Sequence, residues 1–324
     1  MSFSISAFLK PFHRAFGRAF GRFAVARRVM RRAVLVRLSF GTVERVALAS
    51  WLIRGAFNGR LRAVGIARYE TGRTDVGLTR RDALRTMSAN VREAWIDERL
   101  YAARERGRDA CPDLREPIAE LTARIRQMRT LEPKRPIILS PFHYLSQYAN
   151  IYVVDEVRKG LGLDSISLVS GVPRDVLGDD AAMIPAIRVL HTYDDESIER
   201  RNTLGLRVVR ALRREGVAVL FSDVPPFTLA RYPMETLDVS LRGRHARVHA
   251  GVFRLGAPLD AYLLPFYLRF ENGRLGVRIF DPVALADTGA PQRLADDIDI
   301  ACKENYPHWL YAGHPCVYHF APTR

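Results

Sequence analysis

The stretch that most constrains this chain is Pro136–Asp155, where an apolar run, a turn and a helical pattern follow one another within twenty residues. Ile137, Ile138 and Leu139 have the uninterrupted apolar character of a strand buried on both faces, and Ser140-Pro141 punctuates it. From Leu145 onward apolar and aromatic residues recur at helical intervals. A strand that stops at a turn delivers the next side chains to the carboxyl edge of a sheet, the edge at which α/β proteins hold their ligands. Here the side chain delivered is His143. Imidazole gives or takes a proton near neutral pH without help from its surroundings, so His143 is a candidate general base; a buried or capping histidine without chemistry is the alternative.

The rest of the chain alternates in the same way. Residues 41 to 130 read as mostly helical, with Thr79 a candidate N-cap before the periodic run Leu84, Met87, Val91, Trp95, Ile96 and Leu100, and a second amphipathic helix from Leu114 to Met128. After the first strand and its helix, Ser165–Ser170 and Ile187–Leu190 read as strands, Arg174–Asp180 as a polar loop, and Leu204–Arg214 as a helix closed by Gly216. Val217–Phe221 is another continuous apolar strand, and it brings a second ionisable group, Asp223, to a sheet edge. Leu237–Leu241 alternates as a strand, Arg242-Gly243-Arg244 turns, and the spacing of Val248, Val252 and Leu255 predicts a helix over His245–Leu255. Tyr262–Phe270 and Leu275–Phe280 form a hairpin about Asn272-Gly273, and a helix runs from Pro291 to Cys302. This order predicts an α/β fold: a mixed, largely parallel sheet with helices on both faces, preceded by a basic amphipathic helical N-terminal region.

Charge is concentrated at the start. Of the formal net charge of +15, most sits in residues 1–68, where thirteen arginines and Lys10 face Glu44 alone. Phe8, Phe12, Phe16 and Phe20 recur every four residues beside Arg14, Arg18 and Arg22, the pattern of a helix lying on an anionic membrane surface. Packing of those rings on the domain, or nucleic-acid binding by the arginines, are the competing readings; no recognisable nucleic-acid module is present. We therefore divide the chain into a membrane-surface region, 1–68, and an α/β domain with its helical lead-in, 69–324. No apolar run approaches the roughly 18 to 20 residues that cross a bilayer, and arginines recur where a cleavable secretion signal needs a clean apolar core. Cys111, Cys302 and Cys316 have no paired spacing, which argues against a disulfide framework and for a reducing compartment. His308, His314, Cys316 and His319 cluster near the end without zinc-knuckle spacing, so no metal is expected there.

These elements and their junctions resemble the lysophospholipid-acyltransferase-like superfamily, and within it the late acyltransferases of lipid A biosynthesis, over roughly residues 80 to 320. His143 stands where that family has the histidine of its His-x4-acid motif. Val217–Asp223 is similar to the family's strand ending in an aspartate-containing loop, and Leu237–Arg244 to its strand and basic turn. Gly256–Pro258 with Leu264–Phe266, and Tyr306–Tyr311, are similar to two further stations in the family's order. Tyr148 departs from the pattern by occupying the acid's position. The resemblance implies acyl transfer from a thioester on acyl carrier protein or coenzyme A to a hydroxyl of a lipid or glycolipid acceptor, without a cofactor. It places the protein peripherally at the cytoplasmic face of the bacterial inner membrane. His143 would be the base and Asp223, Asp155 or Gln147 the group that orients it, with Gln147, Tyr148, Arg242, Gly243 and Arg244 contacting substrate. A non-catalytic membrane-surface lipid-binding protein on the same fold is the alternative.

Overall fold

The computed structural model describes residues 29–105, 112–170, 184–191, 204–229, 234–271, 273–313 and 318–319. The N-terminal phenylalanine stripe, the polar loop Arg174–Asp180, Asn272, His314 and Cys316 lie outside the described residues.

Helix α1 (Phe40–Phe57) is capped by Ser39, whose hydroxyl accepts from the Thr42 N–H at 3.2 Å. Phe40, Val43, Ala47 and Trp51 make its buried stripe. A single residue, Asn58, ends α1 and caps α2 (Gly59–Val76), its side chain accepting from the Leu61 N–H at 3.0 Å. Leu35, Phe40 and Val43 belong to the main core cluster, and position 68 falls inside α2. The periodic run after Thr79 is not one helix but two, α3 (Ala83–Met87) and α4 (Ala89–Glu105), which break at Ser88. Helix α5 (Arg115–Leu131) follows, with Leu121, Ile125 and Met128 inward. No helix of the described residues is long and apolar enough to cross a membrane.

The sheet begins with β1 (Ile137–Pro141), then α6 (Gln147–Gly160), β2 (Ile166–Ser170), β3 (Ile187–His191), α7 (Leu204–Glu215) and β4 (Val217–Leu220). After β5 (Thr236–Leu241), β6 (Arg244–His249) and the short α8 (Gly251–Gly256) come β7 (Tyr262–Glu271), β8 (Arg274–Ile279), β9 (Val283–Ala284) and α9 (Ala290–Asn305). The main sheet runs β3-β2-β4-β1-β7-β8, parallel through β7, with β8 and β9 antiparallel to β7. Alternate residues of β1 feed opposite layers: Ile137 and Leu139 pack with α1, α4, α5 and α6, and Ile138 packs with α7, α9 and the β5–β6 hairpin. That is the expected α/β architecture with both faces covered.

One expected helix is a strand. Arg242 (φ 56°) and Gly243 (φ 69°) both take the left-handed conformation of a two-residue hairpin turn, which sends the chain back as β6 beside β5. Ala246 and Val248 are buried in alternation with Arg247 and His249, and the helix is confined to Gly251–Gly256. The Val248–Val252–Leu255 spacing spans the end of a strand and the start of a short helix.

The strand order positions the site. From β1 the chain leaves toward β2 and β3, and from β4, which lies between β2 and β1, it leaves toward β7. Because β1 and β4 are parallel neighbours, the loops that follow them leave the sheet at the same carboxyl edge. The residues following β1 and β4 meet there.

Candidate active site

The loop after β1 is pinned from three sides. The Asn150 amide donates to the carbonyls of Phe142, Tyr144 and Ser146 at 3.0–3.3 Å. The C-terminal segment lies alongside, with Leu145 N–H donating to His308 O and Leu310 N–H to His143 O, each at 2.8 Å. Two buried arginines of the helical layer hold that segment in turn: Arg68 donates to Trp309 O at 2.7 Å and Arg92 to Pro307 O at 2.7 Å. Leu145 sits at φ 69°, a conformation that strains a residue with a Cβ and persists only where surrounding bonds over-determine it. Ser146 then caps α6, accepting from Ala149 N–H at 2.9 Å while its hydroxyl donates to Asp97.

Asp223, 1% exposed, approaches His143 from the loop after β4. Its Oδ1 lies 2.7 Å from His143 Nδ1 and its Oδ2 accepts the His143 backbone N–H at 2.7 Å. A carboxylate can only accept, so Nδ1 carries a proton, and it is the neutral form of this ring that presents a lone pair at Nε2. Both strand ends are tied together beneath this pair: the Ser140 and Ser222 hydroxyls are 2.6 Å apart, and Ser222 N–H donates to Ser140 Oγ at 3.1 Å. Tyr318 OH donates to the Asp223 carbonyl at 2.5 Å. The imidazole rests between Phe221 and Tyr311, with ring centroids at 4.5 and 5.0 Å, and its side chain keeps 7% exposure. Among the described residues none hydrogen-bonds Nε2.

No protein-family model and no curated protein matches this chain. What the site can do is therefore read from its own geometry.

A histidine oriented by a buried carboxylate, with its second nitrogen uncommitted, is an acid–base pair. The other expected site residues fall elsewhere. Asp155 is fully buried on α6 and taken up by Arg158 (2.9 Å), Arg104 (3.0 Å) and Lys159 (3.8 Å), so it does not orient His143. Gln147 is exposed at the first position of α6. Tyr148 is buried against Tyr101, ring centroids 6.0 Å apart, and lines a cavity of about 500 Å³ with Trp95, Asp97 and Leu61. Arg242 is committed to Asp299 at 3.0 Å and Asp75 at 3.4 Å, while Gly243 completes the turn of the β5–β6 hairpin and Arg244 opens β6, exposed. The structure thus joins His143 to Asp223 and leaves the basic turn out of that pair. His308 is buried edge-on to Phe270, its desolvated ring held neutral far below the usual imidazole range, and His319 is half-buried with Nδ1 against His245 O. Among the described residues no group of three or more His, Cys, Asp or Glu side chains is placed to hold a metal.

Sequence reasoning missed Ser140, Ser222 and Asn150, which position the pair, and Glu93 on α4. Glu93 is largely buried, and desolvation, reinforced by Asp97, pushes its carboxyl up to about 7 against the pull of Arg68 and Arg92. A carboxylate one turn from another on an amphipathic helix was the available signal, and it reads equally well as a solvated face.

Proposed function

We propose that this protein is an acyltransferase that moves a fatty acyl group from an acyl thioester, on acyl carrier protein or coenzyme A, to a hydroxyl of a lipid or glycolipid acceptor. The observation that carries the reading is the two-point grip of Asp223 on the ring and backbone of His143, which supplies the carboxylate that Tyr148 does not. His143 Nε2 takes the acceptor hydroxyl's proton as the oxygen attacks the thioester carbonyl. The C–O bond forms, the C–S bond breaks, and the imidazolium returns the proton to the departing thiolate. Asp223 stabilises the imidazolium in between. The excess positive charge suits an acidic carrier protein, whose encounter it would accelerate, and a peripheral position at the cytoplasmic face of the bacterial inner membrane.

The covering of the imidazole by Phe221 and Tyr311 favours a second reading, a non-catalytic lipid-binding protein on the same fold. Incubation of wild type and His143→Ala with labelled acyl carrier protein and a crude lipid extract separates them. Transfer by wild type and not by the variant is expected; equal labelling, or none by either, removes the enzyme reading.

A further inference from the structure

The α1–α2 hairpin ends in a protruding tip. From Leu52 to Val64 every residue is exposed except Gly55, which is buried, and Leu61, which is half-buried. Phe57, the last residue of α1, is 91% exposed, and Ile53, one turn earlier on the same face, is 66% exposed. Leu52 and Val64 add to this apolar knob. Water-exposed phenylalanine and isoleucine at a helix corner stabilise nothing in the fold, so they mark a surface that is covered in use.

Cationic residues surround the knob. Arg54, Arg60 and Arg62 are exposed beside it, none in an ion pair among the described residues, and the sequence carries no acid between Glu44 and Glu70. Apolar side chains projecting from a ring of arginines match a surface that is greasy inside and anionic at its rim. A stable protein partner needs on the order of 800 Å² from each side, which a four-side-chain tip falls short of, whereas a bilayer accepts a tip of any area.

We infer that the α1–α2 tip is a membrane-docking device: Ile53 and Phe57 enter the acyl boundary of an anionic bilayer while Arg54, Arg60 and Arg62 contact the phosphates. The inference deepens the proposed acyl transfer and rests on it for its purpose, the delivery of the protein to a lipid acceptor; Arg54 and Leu61 of the two helices also line the 500 Å³ cavity. The membrane contact is then not confined to the phenylalanine stripe of residues 1–28.

The test uses the full chain, with vesicles of phosphatidylcholine alone or mixed with phosphatidylglycerol. In Phe57→Trp, fluorescence beyond that of the wild type should shift to the blue and be quenched by brominated acyl chains, only when phosphatidylglycerol is present. Ile53→Asp with Phe57→Asp should keep the wild-type circular dichroism and lower vesicle partition by about tenfold or more. Replacing Arg54, Arg60 and Arg62 by Gln should weaken partition by roughly fivefold per charge. Unchanged partition of the double variant overturns the inference, as does an introduced indole that stays in water while the chain is vesicle-bound. A vesicle-free dimer abolished by the same aspartates also overturns it, since a second copy would then cover the tip. His143→Ala should bind vesicles as wild type does, so loss of acyl transfer and loss of docking are read separately.

Discussion

Asp223 makes two bonds to His143 with different jobs. Oδ1 sets the tautomer and orientation of the ring, and Oδ2 satisfies a buried backbone N–H that would otherwise cost about 1–3 kcal/mol. In Asp223→Asn the single amide oxygen can still meet the backbone N–H, but the NH₂ then faces the ring. We expect the proposed acyl transfer to fall by roughly 10³–10⁴-fold, the scale seen when the orienting aspartate of a serine protease is lost, with little change in thermal midpoint. Parallel acyl-transfer rates and calorimetry check this. Glu93 offers a test by pH. Its carboxyl sits at about 7 in the fold against 4.5 in the unfolded chain, chiefly through desolvation and secondly through Asp97. The fold therefore holds that proton more tightly. Stability from this group is full below pH 4.5 and is lost as pH rises through 7. Glu93→Gln should be stabilising at pH 8 by at most about 3 kcal/mol and neutral near pH 4. Half-buried His249 and buried His308, held neutral by desolvation, act in the opposite direction below pH 6.5, so the difference between variant and wild type, measured by denaturant titration at each pH, isolates the glutamate.

Packing of elements around the site depends on close approaches that only glycine allows. At Gly72 on α2 a Cβ would lie 2.4 Å from Cε1 of the fully buried Tyr306 and 2.5 Å from Leu78 Cδ1. The tyrosine ring belongs to the segment that carries His308, Leu310 and Tyr311 across the His143 loop, and it has no room to retreat. Gly72→Ala should destabilise the protein by about 1–3 kcal/mol through overpacking. It should also lower the proposed acyl transfer beyond what the stability loss explains, because moving the segment moves Tyr311 against the imidazole. Urea melts together with rates measured well below the midpoint distinguish the two effects.

At the scale of the whole molecule, the helices before the sheet are part of its core. Leu35, Phe40 and Val43 share one cluster with Ile137, Leu139 and Phe266, and Arg68 and Arg92 reach the carbonyls of residues more than two hundred positions away. Gly41 packs on the β7–β8 turn, where its Cβ would come within 3.3 Å of Gly273 Cα. The parts of α1 and α2 that pack on this core melt with it. We expect one cooperative thermal transition with equal calorimetric and van't Hoff enthalpies; a separate early transition of α1 and α2 would contradict the shared core.

The sequence by itself determined the elements and their order. Uninterrupted apolar runs announced β1 and β4, helical spacing announced α5, α7 and α9, and His143 and Asp223 each stood just past a strand end. It misled where two local patterns met: a basic turn at Arg242-Gly243 joins two strands because both residues take positive φ, a fact that the apolar spacing beyond it does not encode. Which group meets His143 was left open among Asp155, Asp223 and Gln147, since the answer lies eighty residues along the chain. Only the tertiary structure decided it, by placing β4 beside β1 in parallel register, so that the two loops leave the sheet at the same edge. The capture of Arg242 by Asp75 and Asp299, and the burial of Tyr148 away from the ring, were decided the same way. Periodicity is local and survives in the sequence, whereas the pairing of side chains depends on which strands become neighbours, and that is set by the burial of the whole core.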